Sequence, residues 1–300
     1  MPEPVYVVFN PESGKGRGAR LIAPVLTALS AGGGTVAHAL TLRPGDEARV
    51  ADEALRLGFR KIVAVGGDGT WSNVAGAILR SGLPVRLGLV PAGTGCDLAK
   101  SLAIPPRDVA GCAAIIHNGA ARTIDVGRVE GRHFLNVVGF GFDIAVIEDS
   151  RNVRWLGGDL LYLYCALRQI YAFPGFPVEV EAEGGGSRRH ELLMLIIANA
   201  RVFGGGFRIA PRADLADARL DAVLFKNMPP SRRLPLMGQL LQGTHESSPE
   251  VEAAVARSFR LRFPTPPRYE TDGEWNQAGG CEMLVEAVPA ALQVLAPAEA

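Results

Sequence analysis

The sequence has few cysteines, no excess of charge and no long apolar run, and each absence excludes a class of protein. The four cysteines show none of the usual metal-ligand spacings, which indicates buried thiols in a reducing compartment. Lysine plus arginine and aspartate plus glutamate both number 31, so no net charge draws the chain to nucleic acid. No apolar run approaches the ~18 residues of a membrane span, and the start lacks the basic segment of a signal peptide. We therefore expect a folded cytoplasmic protein that binds no nucleic acid.

The first part of the chain alternates apolar strands with loops and helices. The predicted strands are Val5–Phe9, Thr35–Thr41, Lys61–Val65 and Leu87–Val90. The predicted helices are Ala19–Leu29, Glu47–Leu57, Trp71–Leu79, one that starts at Leu98, and Val109–Asn118. Four such units in about 120 residues favour a parallel, doubly wound α/β sheet.

Three of the loops that follow these strands, at residues 10–18, 66–70 and 91–97, are rich in glycine. Ligands bind at the carboxyl ends of such strands, where glycines let backbone N–H groups approach a phosphate. Asp68 would repel a phosphate unless a cation lay between them, so it points to magnesium. The first loop is not a Walker P-loop, because Gly16 rather than Ser or Thr follows Lys15. An ordinary glycine-rich turn with an acidic helix cap is the alternative for residues 66–70.

After residue 126 the pattern changes to short strands separated by turns, which predicts a mainly antiparallel β-sandwich. The predicted strands are Phe134–Val138, Val178–Ala182, Leu192–Ala198, Leu220–Phe225, Ser258–Phe263 and Glu282–Val288. A helix is predicted over Leu160–Tyr171. One of its faces either lines a lipid groove or packs in the ordinary core, and that face is formed by Leu160, Leu163, Tyr164, Leu167 and Tyr171. Residues 289–300 either return to the first domain or end as a frayed terminus. We therefore predict one domain over residues 1–126, with 289–300 returning to it, and a second over 127–288.

Taken in order, the motifs resemble those of the diacylglycerol kinase-like lipid kinases, in particular the bacterial soluble branch, nearly from end to end. The matching stretches are Asn10-Pro11-Glu12-Ser13-Gly14, Gly66-Gly67-Asp68-Gly69-Thr70, Pro91-Ala92-Gly93-Thr94-Gly95-Cys96-Asp97, Asp125-Val126-Gly127, Gly204-Gly205-Gly206 with Ala210-Pro211, and Asp272-Gly273-Glu274. The resemblance implies an α/β nucleotide-binding domain of the NAD kinase and diacylglycerol kinase type, followed by a β-sandwich domain. It also implies that the active cleft lies between them and that the last dozen residues pack on the first domain.

The resemblance further implies a kinase that uses ATP and Mg²⁺ to phosphorylate a hydroxyl of diacylglycerol or a related lipid. The residues implied to hold ATP are Asn10, Pro11, Glu12, Ser13, Gly14, Gly66, Gly67, Asp68, Gly69 and Thr70, with hydroxyl contacts from Thr41 and Thr94. Four acids from separate loops would form an acid–water–metal network: Asp68, Asp97, Asp125 and Asp272. Glu274 would be the general base that accepts the proton of the attacking lipid hydroxyl. Helix capping or turn formation is the alternative for Asp97 and Asp125, and an acidic hairpin turn for residues 272–274.

A second, structural magnesium is implied at Asp214, Asp217 and Arg219. Two differences from the family weaken this expectation of a magnesium site. Ala218 stands where a glycine is usual, and Arg219 replaces an apolar residue. A cation beside a metal is unfavourable unless its side chain points away.

Other departures lie near the central turn. Cys96 replaces the usual asparagine, and Ser72 with Asn73 replaces a pair that carries a glutamate, so one acid is missing. Two rival interpretations therefore stay open: an NAD kinase, which shares the glycine–aspartate–glycine turn, and a non-catalytic nucleotide or lipid sensor. The core acids remain, which favours an active enzyme. The identity of the lipid and a homodimer are left open, and membrane contact would be transient and peripheral.

Overall fold

The computed structural model describes residues 2–43, 45–153 and 159–298. The chain divides into two compact units. Unit 1 comprises Met1–Val126 and Pro289–Ala300, and unit 2 comprises Gly127–Val288. The last strand, β15 (Glu282–Ala296), begins in unit 2 and ends in unit 1.

Unit 1 is built on a parallel sheet with strand order β2-β1-β3-β4. Its elements are β1 (Val5–Phe9), α1 (Ser13–Ser30), β2 (Val36–Leu40), α2 (Asp46–Arg56), β3 (Lys61–Gly66), α3 (Asp68–Ser81), β4 (Arg86–Pro91), α4 (Asp97–Ser101), α5 (Val109–Asn118) and β5 (Ala120–Val129), the last of which continues into unit 2. Gln293 and Val294 of β15 add a further parallel strand beside β4. The predicted parallel α/β sheet is confirmed.

The strand order places a topological switch point between β1 and β3, because β2 lies on one side of this pair and β4 on the other. The loops at residues 10–14 and 66–70 leave the carboxyl ends of these two strands. Ligands of open α/β sheets bind at this position. Within α1, Gly14, Lys15 and Gly16 have positive φ values, so the regular helix begins after them.

Unit 2 is an antiparallel array in which β14, β13, β7, β9, β8, β12 and β15 are neighbours in that order. Its elements are β6 (Arg132–Phe134), β7 (Val137–Gly141), α6 (Phe142–Asn152), α7 (Asp159–Ala172), β8 (Phe176–Ala182), β9 (Ser187–Ala198), β10 (Leu220–Lys226), α8 (Pro230–Gln242), β11 (Val251–Ala256), β12 (Ser258–Arg262), β13 (Arg268–Thr271) and β14 (Glu274–Gln277). β10 pairs with β9 and with β11.

Both faces of the central strand β9 are buried, each in a different apolar cluster. Leu195 and Ile197 belong to one cluster, whereas Ile196 and Ala198 belong to the other. Successive side chains of a strand point to opposite faces, so an uninterrupted apolar run can supply two cores. This explains why residues 192–198 show no polar alternation.

The predicted strand Phe134–Val138 is wrong, because the structure breaks it into β6 and β7. The amides of Leu135, Asn136 and Val137 at this break donate to the carboxylate of Asp272. An amide that is held by a side chain is not available to pair with a neighbouring strand in the regular way, so the ladder is interrupted.

The sequence pattern did not predict α6, α8 or β11. In α8, Pro230 takes the first helical position, where its missing N–H leaves no bond unmade, but Pro235 lies inside and removes one. Burial of Leu236 and Leu240 on the same helix offsets that loss. Among the described residues no helix is long and apolar enough to cross a membrane.

Candidate active site

Three glycine loops of unit 1 meet with their backbones in contact. A Cβ atom on Gly14, which has φ +59°, would lie 1.9 Å from the carbonyl oxygen of Ala92. A Cβ atom on Gly93 would lie 2.6 Å from Cα of Gly67. Only glycine permits such approaches. The loops at residues 10–14, 66–70 and 91–95 therefore form one continuous surface of backbone at the carboxyl edge of the sheet.

Asn10 joins two of these loops through its side chain. Its Nδ2 donates to Thr70 Oγ1 at 3.0 Å and to Glu47 Oε1 at 3.0 Å. Its main-chain N–H donates to the carbonyl of Val65 at 3.0 Å. Glu47 is only 3% exposed, and the sequence analysis did not select it. A sequence signal that could have identified Glu47 is its position as an acid in the first turn of α2. This helix follows β2 and begins at the same edge of the sheet.

Asp68 and Asp97 are brought together by the start of α4. Asp68 Oδ1 accepts the amides of Asp97 at 2.8 Å and Leu98 at 3.2 Å, so it caps that short helix. Asp97 Oδ1 pairs with Lys100 Nζ at 2.9 Å. The Oδ2 atoms of the two aspartates lie 3.1 Å and 3.5 Å from the point where a Cβ of Gly95 would stand. Two carboxylate oxygens thus face one position beside the glycine loops.

These two oxygens fit a magnesium ion of the kind that accompanies nucleotides. Mg²⁺ is usually held by one or two carboxylates, with water and substrate phosphates as its remaining ligands. No group of three or more His, Cys, Asp or Glu side chains that could hold a metal is found in the described part of the chain. A magnesium ion at Asp68 and Asp97 would therefore need phosphate or water oxygens.

Cys96 has a left-handed backbone, with φ +54°, at the turn before Asp97. Asparagine and glycine adopt this conformation far more readily than cysteine does. The thiol is buried, its Sγ lies 3.8 Å from the carbonyl oxygen of Gly66, and burial raises the pKa of Cys96 to about 12. The thiol therefore stays protonated and is not a nucleophile.

Most of the remaining predicted residues of unit 1 lie on the same loops or strand ends, whereas Asp125 lies within β5. Thr41 is buried and donates its amide to Phe9, whereas Thr94 is exposed. Glu12 donates its amide to Asn10 Oδ1 at 3.1 Å.

Asp125 is buried, and its Oδ1 accepts the amide of Ala290 at 2.7 Å, so it holds the returning strand.

The Asp272–Gly273 pair forms the two-residue loop of the hairpin between β13 and β14, in unit 2. Both residues have positive φ, +49° and +87°, as a type I′ turn requires. Asp272 Oδ2 accepts the amide of Leu135 at 2.7 Å, and Oδ1 accepts those of Asn136 at 2.8 Å and Val137 at 3.1 Å. Glu274, the next residue, is exposed at the start of β14. Because the other three acids of the proposed network belong to unit 1, that network stays a prediction.

The residues predicted to hold a structural magnesium lie on exposed turns. Asp214 Oδ1 accepts the amide of Ala216 at 3.0 Å, and Asp217 Oδ1 accepts that of Arg219 at 2.9 Å. Ala218 has φ +60°, which explains why a glycine is usual there. Burial, followed by the charges of Asp217 and Glu246, raises the pKa of Asp221 to about 6. Arg212, which pairs with Glu246 at 2.6 Å, offsets part of the negative charge at this turn, and the metal site stays a prediction.

Unit 2 also contains an apolar cavity of about 640 Å³, here called the aromatic pocket. The rings of Phe140 and Phe263 stack at 5.3 Å, and those of Phe176 and Phe263 at 6.2 Å. Ile144 and Ala145 of α6 line it from the helix side. Glu148 and Arg268, which also line it, form an ion pair at 2.9 Å. A cavity of this size with few polar groups is typical of a small-molecule site.

The predicted apolar face of α7 is exposed where the structure describes it. Tyr164, Leu167 and Tyr171 are 39%, 43% and 66% exposed. The side chains of Leu160 and Leu163 lie outside the described residues. The described part of this face is therefore not core.

Two family models together match almost the whole chain. The diacylglycerol kinase catalytic domain matches residues 4–129, and the YegS C-terminal NAD kinase beta sandwich-like domain matches residues 136–296. The chain belongs to the diacylglycerol kinase-like lipid kinase family. The predicted fold class, an α/β nucleotide-binding domain followed by a β-sandwich, is confirmed by these two matches.

Relatives in this family match the chain over most of their length. A diacylglycerol kinase of Mycobacterium tuberculosis is 29% identical over 98% of this chain and 95% of its own. A Klebsiella pneumoniae protein named "Probable lipid kinase YegS-like" is 31% identical over 86% of this chain and 85% of its own. The crystal structure of a diacylglycerol kinase from Bacillus anthracis superposes with a TM-score of 0.77 at 20% identity, over 98% of this chain and 96% of that one. The structural likeness supports the fold, and the sequence matches support the family.

Proposed function

We propose that this protein transfers the γ-phosphoryl group of ATP to a hydroxyl of diacylglycerol or a related lipid, with Mg²⁺. The observation that carries the proposal is the meeting of three glycine loops beside the paired carboxylates of Asp68 and Asp97. Phosphoryl transfer depends on positioning and charge neutralisation more than on covalent help from the protein. Backbone N–H groups at a helix start and a carboxylate-held cation would supply both.

In this proposal the loops at residues 10–14 and 66–70 hold the phosphates, while the hydroxyls of Thr41 and Thr94 contact the nucleotide. Asp68 and Asp97 hold the magnesium ion, which neutralises phosphate charge when it is bound. Asn10 keeps the first two loops in register through its bond to Thr70.

Glu274 is the proposed general base, which accepts the proton of the attacking hydroxyl. Its exposed position beside a turn that Asp272 clamps supports this role, because a base must be both accessible and held in place. Asp272 is then a residue that holds the turn through three amides.

The lipid's acyl chain is proposed to enter the aromatic pocket. Its mainly apolar lining with stacked phenylalanine rings suits a hydrocarbon chain, and the two charged residues that line it, Glu148 and Arg268, pair with each other. The exposed apolar face of α7 is proposed to contact the membrane in which the substrate lies, as a transient peripheral association.

The test incubates the purified protein with radiolabelled ATP, Mg²⁺ and vesicles that contain diacylglycerol, phosphatidylglycerol, ceramide or a sphingoid base, and with NAD in a parallel tube. We expect label on a lipid. Glu274→Ala should lower kcat at least about 100-fold, as expected for a lost general base, while ATP binding survives. Glu286→Gln, which breaks only an ion pair with Arg128, serves as the matched acidic control.

Label on NAD would replace the lipid kinase with an NAD kinase. Tight ATP binding without transfer to any acceptor would indicate a sensor. Near-normal turnover of Glu274→Ala would show that another group is the base.

A further inference from the structure

Two buried carboxyl groups meet behind the hairpin that carries Glu274. Glu270 of β13 has no exposed surface, and Asp143 in the first turn of α6 is 8% exposed. A Cβ atom on Gly139 would lie 1.9 Å from Asp143 Oδ2 and 2.7 Å from Glu270 Oε1. Both carboxyl groups therefore point to the space over Gly139, which only glycine leaves open.

The burial of two neighbouring carboxyl groups costs free energy unless another interaction offsets it. Neither oxygen of Asp143 nor Oε1 of Glu270 has a hydrogen-bond partner among the described residues. A buried carboxyl group without partners destabilises a fold, and an apolar residue of the same size would fill the space at lower free energy. The interaction that offsets this cost is a hydrogen bond that the second oxygen of Glu270 accepts.

Glu270 Oε2 accepts the amide of Gly273 at 2.5 Å. Gly273 is the second loop residue of the hairpin and directly precedes Glu274. In the sheet, Glu270 pairs with Trp275 of β14 on one side and with Gly139 of β7 on the other. Its carboxyl group thus connects the tip of the hairpin to the interior of unit 2.

Each of the two loop residues is therefore held through a carboxyl group. Asp272 accepts three amides from residues 135–137, and Glu270 accepts the amide of Gly273. A two-residue loop that contains a glycine is conformationally permissive by itself, so bonds to its backbone restrict it. These two anchors act together with the pairing of Thr271 and Glu274 and with the bond from Asn276 Nδ2 to the carbonyl of Glu274 to set the direction in which Glu274 leaves the loop.

We propose that Glu270, with Asp143 packed behind it, is a positioning residue that orients Glu274 through the amide of Gly273. This rests on the proposed function, in which Glu274 is the general base. A base that is displaced by about 1 Å loses up to roughly 100-fold in rate, so the effect belongs in kcat. Glu270 itself touches no reacting atom, because it is fully buried.

The test compares Glu270→Gln with Glu270→Leu. Glutamine keeps an oxygen that accepts the Gly273 amide, whereas leucine keeps a similar bulk and removes the acceptor. We expect Glu270→Leu to lower kcat between about 10-fold and 100-fold with an unchanged KM for ATP. Glu270→Gln should stay within about threefold of the wild type. Leu240→Ala, a buried site on α8, controls for general loss of stability.

Amide hydrogen exchange at Gly273 gives a second measurement that does not depend on activity. Protection should be lost in Glu270→Leu and kept in Glu270→Gln and in Leu240→Ala. The inference is overturned if Glu270→Leu keeps its kcat, or if its kcat falls no more than that of an equally destabilised Leu240→Ala. It is also overturned if Gly273 stays protected in Glu270→Leu. A different pair of results would refute the proposed function instead. In that case the wild-type protein labels no acceptor, while the Gly273 amide is protected in the wild type and loses its protection in Glu270→Leu.

Discussion

Asp68, Asp125 and Asp272 each accept hydrogen bonds from backbone amides that are distant along the chain. Such bonds fix the position of one backbone segment relative to another. The alternative of helix capping or turn formation, which the sequence left open for Asp125, is wrong, because Asp125 lies within β5 and accepts the amide of Ala290 in β15. For Asp68, one oxygen caps α4 and the other faces Gly95, so capping and metal binding are compatible at one residue.

Asp143 allows a prediction about stability and pH. Burial raises the pKa of Asp143 to about 7, and burial followed by the charge of Asp143 raises that of Glu270. In the unfolded chain both groups titrate near their ordinary values, about 4. Between about pH 4 and 7 the folded protein binds more protons, so the free energy of unfolding falls as pH rises through that window. Asp143→Asn should make this decline shallower and should raise stability at pH 7.5 relative to the wild type.

Urea unfolding at pH 5, 6, 7 and 8 measures this difference. Glu286→Gln changes a partly exposed carboxylate in an ion pair, so its stability curve should run parallel to that of the wild type and it serves as the control. A decline in Asp143→Asn that is as steep as in the wild type would contradict the assigned cause.

At the scale of elements, the hairpin is one that a local sequence pattern can predict, and α6 is one that it cannot. Asp272–Gly273 is a dipeptide that favours a type I′ turn, so an acidic hairpin at this point was predictable as the alternative reading. Helix α6 was not, because its buried face includes Asp143 and Asp149, which look like solvent-facing residues in the sequence. The aromatic pocket depends on α6, so no part of it was predicted.

A substitution in the aromatic pocket tests its proposed role as the acyl-chain site. Ala145→Phe on α6 would fill part of the cavity, so the KM for the lipid should rise about tenfold or more while the KM for ATP stays unchanged. Steady-state kinetics with each substrate varied in turn measure the two constants. Val255→Phe adds the same ring at a half-exposed position of β11 and should change neither. Equal effects of the two variants, or a change in the KM for ATP alone, would exclude this pocket as the acyl site.

At the scale of the molecule, the chain completes its first unit with its last strand. Val294 of β15 pairs with Leu87 of β4, and Leu292, Val294 and Leu295 are buried. The alternative of a frayed terminus is therefore wrong for residues 289–296, which form part of a strand. A parallel strand can enter a sheet from any distance along the chain, because pairing depends on the backbone and not on sequence proximity.

Two leucines of β15 test this role of the strand. Leu295 is buried in unit 1, whereas Leu284 on the same strand is 41% exposed. Leu295→Ala should lower the free energy of unfolding by about 2–5 kcal/mol, and Leu284→Ala by less than about 1 kcal/mol. Urea unfolding of both variants gives the comparison. Equal losses would show that the returning segment contributes little to unit 1.

The sequence by itself determined the strand–loop–helix units, the glycine loops and the family, because these depend on apolar runs, on positive φ values and on ordered motifs that neighbouring residues carry. Only the tertiary structure decided which acids meet. Asp68 caps a helix that begins 29 residues later, Asp272 holds amides 135 to 137 residues away, and Glu270 faces Asp143 over Gly139. Such partners are chosen by how strands and helices pack in space, and no local pattern of residues contains that information.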